Sequence, residues 1–215
     1  MKQRCEFIVL HSTAYAENAL VIHTFSQEYG KRSFLVRGIG KKVSQAYFQP
    51  LNIVEAEIIE SQKSSLWLAH HFHQEHPLNA IRESMNKNCI SLFLSEVLLK
   101  TLQEEEIDAA LYQWLRGRIL LLDALEQGVS NFHLGLLKEL CERIGYQPSQ
   151  EQLLPFEDEG AFEGGPLKEN FEEILLMRLN GEKRCKIVRT YLKFLEYHLD
   201  TPLHIRSLDV LGCMF

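Results

Sequence analysis

The feature that most constrains this chain is a change of hydrophobic period at His76-Pro77. Before it, apolar residues recur at every second position. Within Ile53–Ile59, Val54, Ala56 and Ile58 face one way and Glu55, Glu57 and Ile59 the other. After it, Ile81, Met85, Cys89, Leu92, Phe93, Leu99 and Leu102 form a stripe with a helical repeat. Period two marks one face of a strand, and a period near 3.6 marks one face of a helix. The chain is therefore read as α+β, with a strand-built domain over residues 1–77 and an α-helical C-terminal domain over 78–215.

In the first part, Glu6–Leu10, Ala19–Phe25, Ser33–Val36, Ile53–Ile59 and Leu66–Phe72 read as strands. Short strands joined by glycine-containing turns fit a small barrel or sandwich. With no long helix between them, antiparallel pairing is expected throughout. Pro50 is expected to open the fourth strand, where its missing N–H does no harm.

In the second part, residues 81–102 and 107–126 read as helices, the latter with Ile107, Leu111, Trp114, Leu121 and Leu125 on its stripe. Arg118 falls on the Trp114–Leu121 part of that stripe. The favoured reading is an arginine at the stripe edge with its stem packed and its head in water, and the alternative is a basic group beside an apolar pocket suited to an acidic peptide. Phe132–Ile144 is a third helix, stopped by Gly145 and followed by Pro148. Residues 150–167, with several Gly, Pro and acidic residues, read as a loop. Helices are expected over Lys168–Leu179, ending at Asn180-Gly181, and over Lys183–Leu199. Thr201-Pro202 looks like an N-cap followed by proline at the first helical position of a last helix.

Charge is unevenly spread. The chain carries a net −6, yet residues 1–54 hold seven Lys/Arg against three Glu, which leaves a net −10 on the rest. The basic residues concentrate in Glu28–Leu51: Lys31, Arg32, Arg37, Lys41 and Lys42, with no acidic residue between Glu28 and Glu55. Phe34, Tyr47 and Phe48 lie among them. Cations answer phosphates and aromatic faces stack on unpaired bases, so this stretch reads as a nucleic-acid-binding face. The competing reading is a set of ordinary solvent-facing strand charges.

Catalytic chemistry is poorly represented. Gly38-Ile39-Gly40-Lys41-Lys42 lacks the GxxxxGK[ST] spacing of a phosphate-cradling loop and reads as a turn presenting two lysines. His11, Ser12, Thr13 and Glu17 are close in sequence, but nothing places a nucleophile beside a base. His71 and His73 would share a strand face, so a metal site is geometrically possible. The favoured reading is a polar strand face running into a loop, with His70 packed beside Phe72, and a pH-sensitive surface is a further one. No catalytic residue, cofactor or metal site is assigned. Cysteines at 5, 89, 141, 185 and 213 are sparse, odd in number and without a CxxC pair. With only Phe7–Leu10 as an early apolar run, they fit reduced thiols in the cytoplasm. No apolar run approaches the ~18 residues that cross a bilayer.

A family resemblance emerges from these residues. Ile8-Val9-Leu10, Tyr15-Ala16-Glu17, Phe25, Gly30-Lys31, Val36-Arg37-Gly38, Ser44 and Phe48-Gln49-Pro50-Leu51 resemble the N-terminal pattern of the RecO family of bacterial recombination mediators. Phe132…Leu136-Leu137…Leu140…Ile144-Gly145-Tyr146-Gln147-Pro148 is similar to its central helix, and Tyr191-Leu192…His198-Leu199…Arg206-Ser207-Leu208 to its closing helices. Arg37 stands where the family commonly has Lys. The resemblance implies a five-stranded OB-fold followed by a helical domain. It also implies a non-catalytic protein that binds single- and double-stranded DNA, anneals complementary strands and cooperates with RecR. Such a protein would engage the acidic C-terminal tail of single-stranded DNA-binding protein and help load RecA. Many members carry a four-cysteine zinc site after the G-Y-x-P motif. Tyr146 to Lys168 contains no cysteine, so that zinc is not carried over. The alternative function is a protein–protein adaptor in which the barrel is scaffold only.

Overall fold

The computed structural model describes residues 2–61, 64, 66–158, 160–162 and 168–214. Five strands, β1 (Lys2–Ala16), β2 (Ala19–Ser26), β3 (Gly30–Arg37), β4 (Ile53–Ile59) and β5 (Trp67–His73), close into a barrel in the order β1-β2-β3-β5-β4, the arrangement of an OB-fold. Helices α1 (Asn79–Glu83), α2 (Met85–Thr101), α3 (Ala109–Ala124), α4 (Phe132–Arg143), α5 (Gln150–Leu153), α6 (Phe171–Leu176), α7 (Gly181–Leu199) and α8 (Ser207–Met214) follow. The α+β class and the strand-then-helix order agree with the sequence reading.

Backbone contacts divide the chain into two compact units, Met1–Asn79 with Ser95–Leu120, and Ala80–Leu94 with Leu121–Phe215. The end of α2 and most of α3, which the sequence reading places in the helical domain, thus cluster with the barrel.

Alternation fills the barrel. Cys5, Phe7 and Val9 of β1, Leu20 and Ile22 of β2, Phe34 and Val36 of β3, Val54, Ala56 and Ile58 of β4 and Ala69 of β5 form one buried cluster with Phe48. Every second residue points inward because the strand period is two. β1 is much longer than expected, because its polar second half pairs with β2 as far as Ala16↔Ala19. Register shifts at Val9/His11 and Ala14/Ala16 bend it, so that its first half can pair with β4.

One pairing expectation is corrected. β3 and β5 run parallel, with Phe34↔Trp67 and Val36↔Ala69 in register. Closing a five-stranded sheet joins strands that are not sequence neighbours, and local alternation does not encode that partner. Pro50 does not open β4 either. It precedes Leu51, whose φ of 62° makes a turn before Ile53.

On the outside of the barrel, α3 supplies Tyr112, which meets Phe25 with ring centroids 6.0 Å apart. Its hydroxyl donates to Glu6 at 2.8 Å, and Arg116 Nε donates to the same carboxylate at 2.9 Å. The buried face of α3 is Leu111, Tyr112, Leu115, Ile119 and Leu122. This face is rotated from the expected stripe, and Ile107 is 63% exposed. The chosen face is the one whose tyrosine and arginine reach Glu6.

In the second unit, Asn180 ends no helix. Its side chain accepts from Lys183 N and opens α7. Residues 150–156 form α5 and a 3-10 turn rather than loop, with Ser149 and Gln152 in a capping box. Gly164-Gly165-Pro166, expected within the same loop, lies outside the described residues. Thr201-Pro202 opens no helix. Asp200 turns left-handed (φ 47°), Leu203 N donates to the Glu196 carboxylate at 2.6 Å, and α8 starts at Ser207. These bonds to α7 compete successfully with local capping. Asn131 is buried and donates to the carbonyls of Ile174 and Met177 near the end of α6.

His133 of α4 is 1% exposed and edge-on to Phe93. Burial, reinforced by Arg184, pushes its imidazole down to about 3. The unfolded chain binds a proton below about pH 6.5 that the folded chain refuses until about pH 3, so stability is full above 6.5 and falls as pH drops between these values. At about 1.4 kcal/mol per pH unit, roughly 2–3 kcal/mol is lost by pH 4.5. Unfolding free energies from urea titrations at pH 7.5 and 4.5 should differ by that much less in His133→Leu than in the native chain. Parallel losses in the two proteins would exclude His133 as the cause.

Candidate nucleic-acid interface

The five basic residues separate into two groups. Lys31 and Arg32 are engaged within the barrel unit. Lys31 Nζ donates to the carbonyls of Leu99 (2.9 Å) and Leu102 (2.6 Å) at the end of α2 and pairs with Glu104 at 3.2 Å. A cation set against the free carbonyls of a helix C-terminus satisfies them and opposes the negative end of the dipole. Arg32 lies over the Trp67 ring, 3.5 Å from its centroid, and pairs with Glu105 at 3.2 Å. Tyr29 packs edge-on against the same ring.

This corrects the sequence argument that the basic stretch has no acidic neighbour. Glu104 and Glu105 lie far along the chain, and the backbone brings them in: Glu105 N donates to Lys31 O at 3.0 Å. The side chains of Lys31 and Arg32 are only 12% and 15% exposed.

Arg37, Lys41 and Lys42 are exposed. The lysines ride on a closed turn, in which the N–H groups of Lys41, Lys42 and Val43 converge on the carbonyl of Gly38, at 3.2, 2.9 and 3.1 Å, and Gly40 N donates to Val43 O. Gly38 and Gly40 take φ of 83° and 77°, a region that glycine enters without penalty. Ile39 and Val43 pack on the barrel core and anchor the turn, so its two cations point outward from a fixed base. Arg37 ends β3 and lines an open groove with Tyr15, Leu35, Ile59, Glu60, Leu66 and Leu68.

The aromatics also separate. Phe48 fills the barrel at 3% exposure, whereas Tyr47 is half-buried against Phe48 and Phe72. Two further features of this surface escaped the sequence reading. Tyr15 is 65% exposed in the groove beside Arg37. On neighbouring strands, His11 stacks on His23, whose Nδ1 is 2.8 Å from Ser33 Oγ. The register His11↔His23↔Ser33 aligns the three residues across β1, β2 and β3. Burial lowers the His23 imidazole below the ordinary histidine range, and His11 adds to the effect. A long polar β1 would have signalled this row.

Among the described residues, the metal-competent grouping joins Glu57, His70 and His71 rather than His71 and His73. No helix among them is long and apolar enough to cross a membrane.

Residues 1–68 match the family model described as "Recombination protein O N terminal". Over the full length of both chains, the sequence is 31% identical to the DNA repair protein RecO of Flavobacterium johnsoniae and 30% identical to that of Phocaeicola vulgatus. A RecO protein of Azobacteroides pseudotrichonymphae is 24% identical, also over both full lengths.

Proposed function

Because this chain belongs to the RecO family of DNA repair proteins, we propose that it is a non-catalytic mediator of recombination that binds DNA on the barrel surface carrying Arg37, Lys41 and Lys42. In this reading the protein binds single- and double-stranded DNA, anneals complementary strands, and acts with RecR to load RecA on strands covered by single-stranded DNA-binding protein. The observation that carries it is the anchored turn bearing Lys41 and Lys42, continued by Arg37 and Tyr15 along the groove. Cations fixed on a rigid base meet phosphates with little ordering cost, and the tyrosine face offers a stacking surface. Between two DNA strands, the same cations would screen phosphate repulsion and favour pairing. Lys31 and Arg32 serve this surface indirectly, by holding β3 in place.

The test is binding of single-stranded DNA by fluorescence anisotropy over a salt series. Each phosphate contact contributes about −0.7 to the slope of log affinity against log salt. Lys41→Ala with Lys42→Ala should flatten the slope by roughly 1.4 and weaken binding on the order of tenfold at low salt. A slope shared by native and double variant would remove the turn from the interface. A flat native line would favour the adaptor alternative, with the barrel as scaffold.

A further inference from the structure

On the β4–β5 side of the barrel, two consecutive histidines of one strand reach the same carboxylate. In regular β-structure His70 and His71 would point to opposite faces. Here β4 and β5 slip register between Glu55 and Glu57, and His71 takes φ of 55°, a left-handed conformation that an L-residue adopts at a cost. The two rings lie 4.4 Å apart. His71 Nδ1 is 3.3 Å and His70 Nδ1 3.8 Å from Glu57 Oε2, and one donor atom from each residue lies within 4.8 Å of the others.

We propose that Glu57, His70 and His71 form a binding site for a transition-metal ion of the zinc class. Metal–ligand bonds of about 2.0–2.1 Å in a tetrahedron separate neighbouring donors by roughly 3.3 Å. The Glu57–His71 distance matches that edge and the Glu57–His70 distance is half an ångström from it, so small side-chain adjustments complete the face. Imidazole nitrogen and carboxylate oxygen are donors suited to Zn²⁺, Co²⁺ and Ni²⁺. Two histidines and one glutamate leave the fourth position to water or an external oxygen donor. His71 is 70% exposed, which gives the ion an entry path, while His70 and Glu57 are 23% and 26% exposed and hold their positions. The ion would clamp β4 to β5 where their register slips. This site is unrelated to the four-cysteine module, for which the chain lacks the ligands.

The full-length protein is titrated with Zn²⁺ by calorimetry and with Co²⁺ by visible absorption. We expect about one equivalent bound, tetrahedral Co²⁺ bands without thiolate charge transfer, and a thermal midpoint that rises with Zn²⁺. His71→Gly suits the test because glycine accepts the left-handed conformation, so the fold is kept while one ligand is lost. It should bind at least about tenfold more weakly and lose the Zn²⁺-dependent rise, as should Glu57→Gln. Histidine side-chain NMR of the unaltered protein gives a second readout, independent of variant folding. Zn²⁺ must move the nitrogen resonances of His70 and His71 and leave those of His11 and His23 in place. No binding by the native chain, binding unaffected by both substitutions, thiolate charge transfer in place of tetrahedral nitrogen–oxygen bands, or shifts confined to other histidines would overturn the site.

Discussion

Gly30→Ala is expected to destabilise the barrel unit by about 2–5 kcal/mol. Gly30 opens β3 at φ 61°, and a Cβ there would sit 2.1 Å from the carbonyl oxygen of Glu106 and 2.7 Å from its carbon. Holding an alanine in the left-handed region costs roughly 1–2 kcal/mol. The overlap is with backbone, which cannot rotate away as a side-chain tip can, so the 104–106 segment must move. Forced displacement of packed atoms adds about 1–3 kcal/mol. That segment also carries Glu104 and Glu105, the partners of Lys31 and Arg32, and the hydrogen bond from Glu105 N to Lys31 O. Gly40→Ala separates the two contributions. Gly40 has φ of 77° with nothing within 4 Å of an added Cβ, so it should cost only the conformational share. Urea unfolding of both variants measures the difference. Equal losses would mean that the contact with Glu106 yields freely and that the segment does not constrain β3.

The same segment explains what the sequence could and could not reveal. The inward residues of the barrel were readable, because alternation at Val54, Ala56 and Ile58 is a local consequence of the pleat. The stop of α4 was readable too, since Gly145 (φ 96°) provides the left-handed residue that ends it. Pairing was not. Nothing near Phe34 announces that its partner is Trp67 on a parallel strand, and nothing near Lys31 announces Glu104. A window of sequence counts charges, whereas the fold decides which are neutralised. Lys31 and Arg32 meet carboxylates that no window around them contains, while Arg37, Lys41 and Lys42 are exposed. Tyr15 stands in a recognisable motif, yet its exposure beside Arg37 follows from the length of β1 and the bend in it. The helix boundaries near Asn180 and Thr201 failed for a related reason. Asn favours a helix start as well as a stop, and Pro202 is compatible with a helix start without requiring one. Contacts with α7 chose between the options.

Lys31→Met should destabilise the protein by about 2–4 kcal/mol while leaving the salt slope of DNA binding unchanged. Methionine keeps most of the aliphatic stem and removes the ammonium, so the Leu99 and Leu102 carbonyls lose a charged donor. Hydrogen bonds to a charged group contribute about 1.5–3 kcal/mol net, and a cation at a helix C-terminus adds about 0.3–1. The ion pair with Glu104 contributes little by itself, because that carboxylate is 66% exposed. The stability loss should appear as a lower urea midpoint, and the anisotropy salt series is then run well below it. A Lys31 that touched phosphate would give the opposite pattern, with near-native stability and a slope reduced by about 0.7. Lys41→Met, in the turn after β3, supplies the contrast, since its side chain is exposed and its loss should alter the slope and spare the fold. If the two variants exchanged these behaviours, the division of the basic stretch into a structural pair and an exposed trio would be wrong, and the proposed binding face would move to the surface around Arg32, Trp67 and Tyr29.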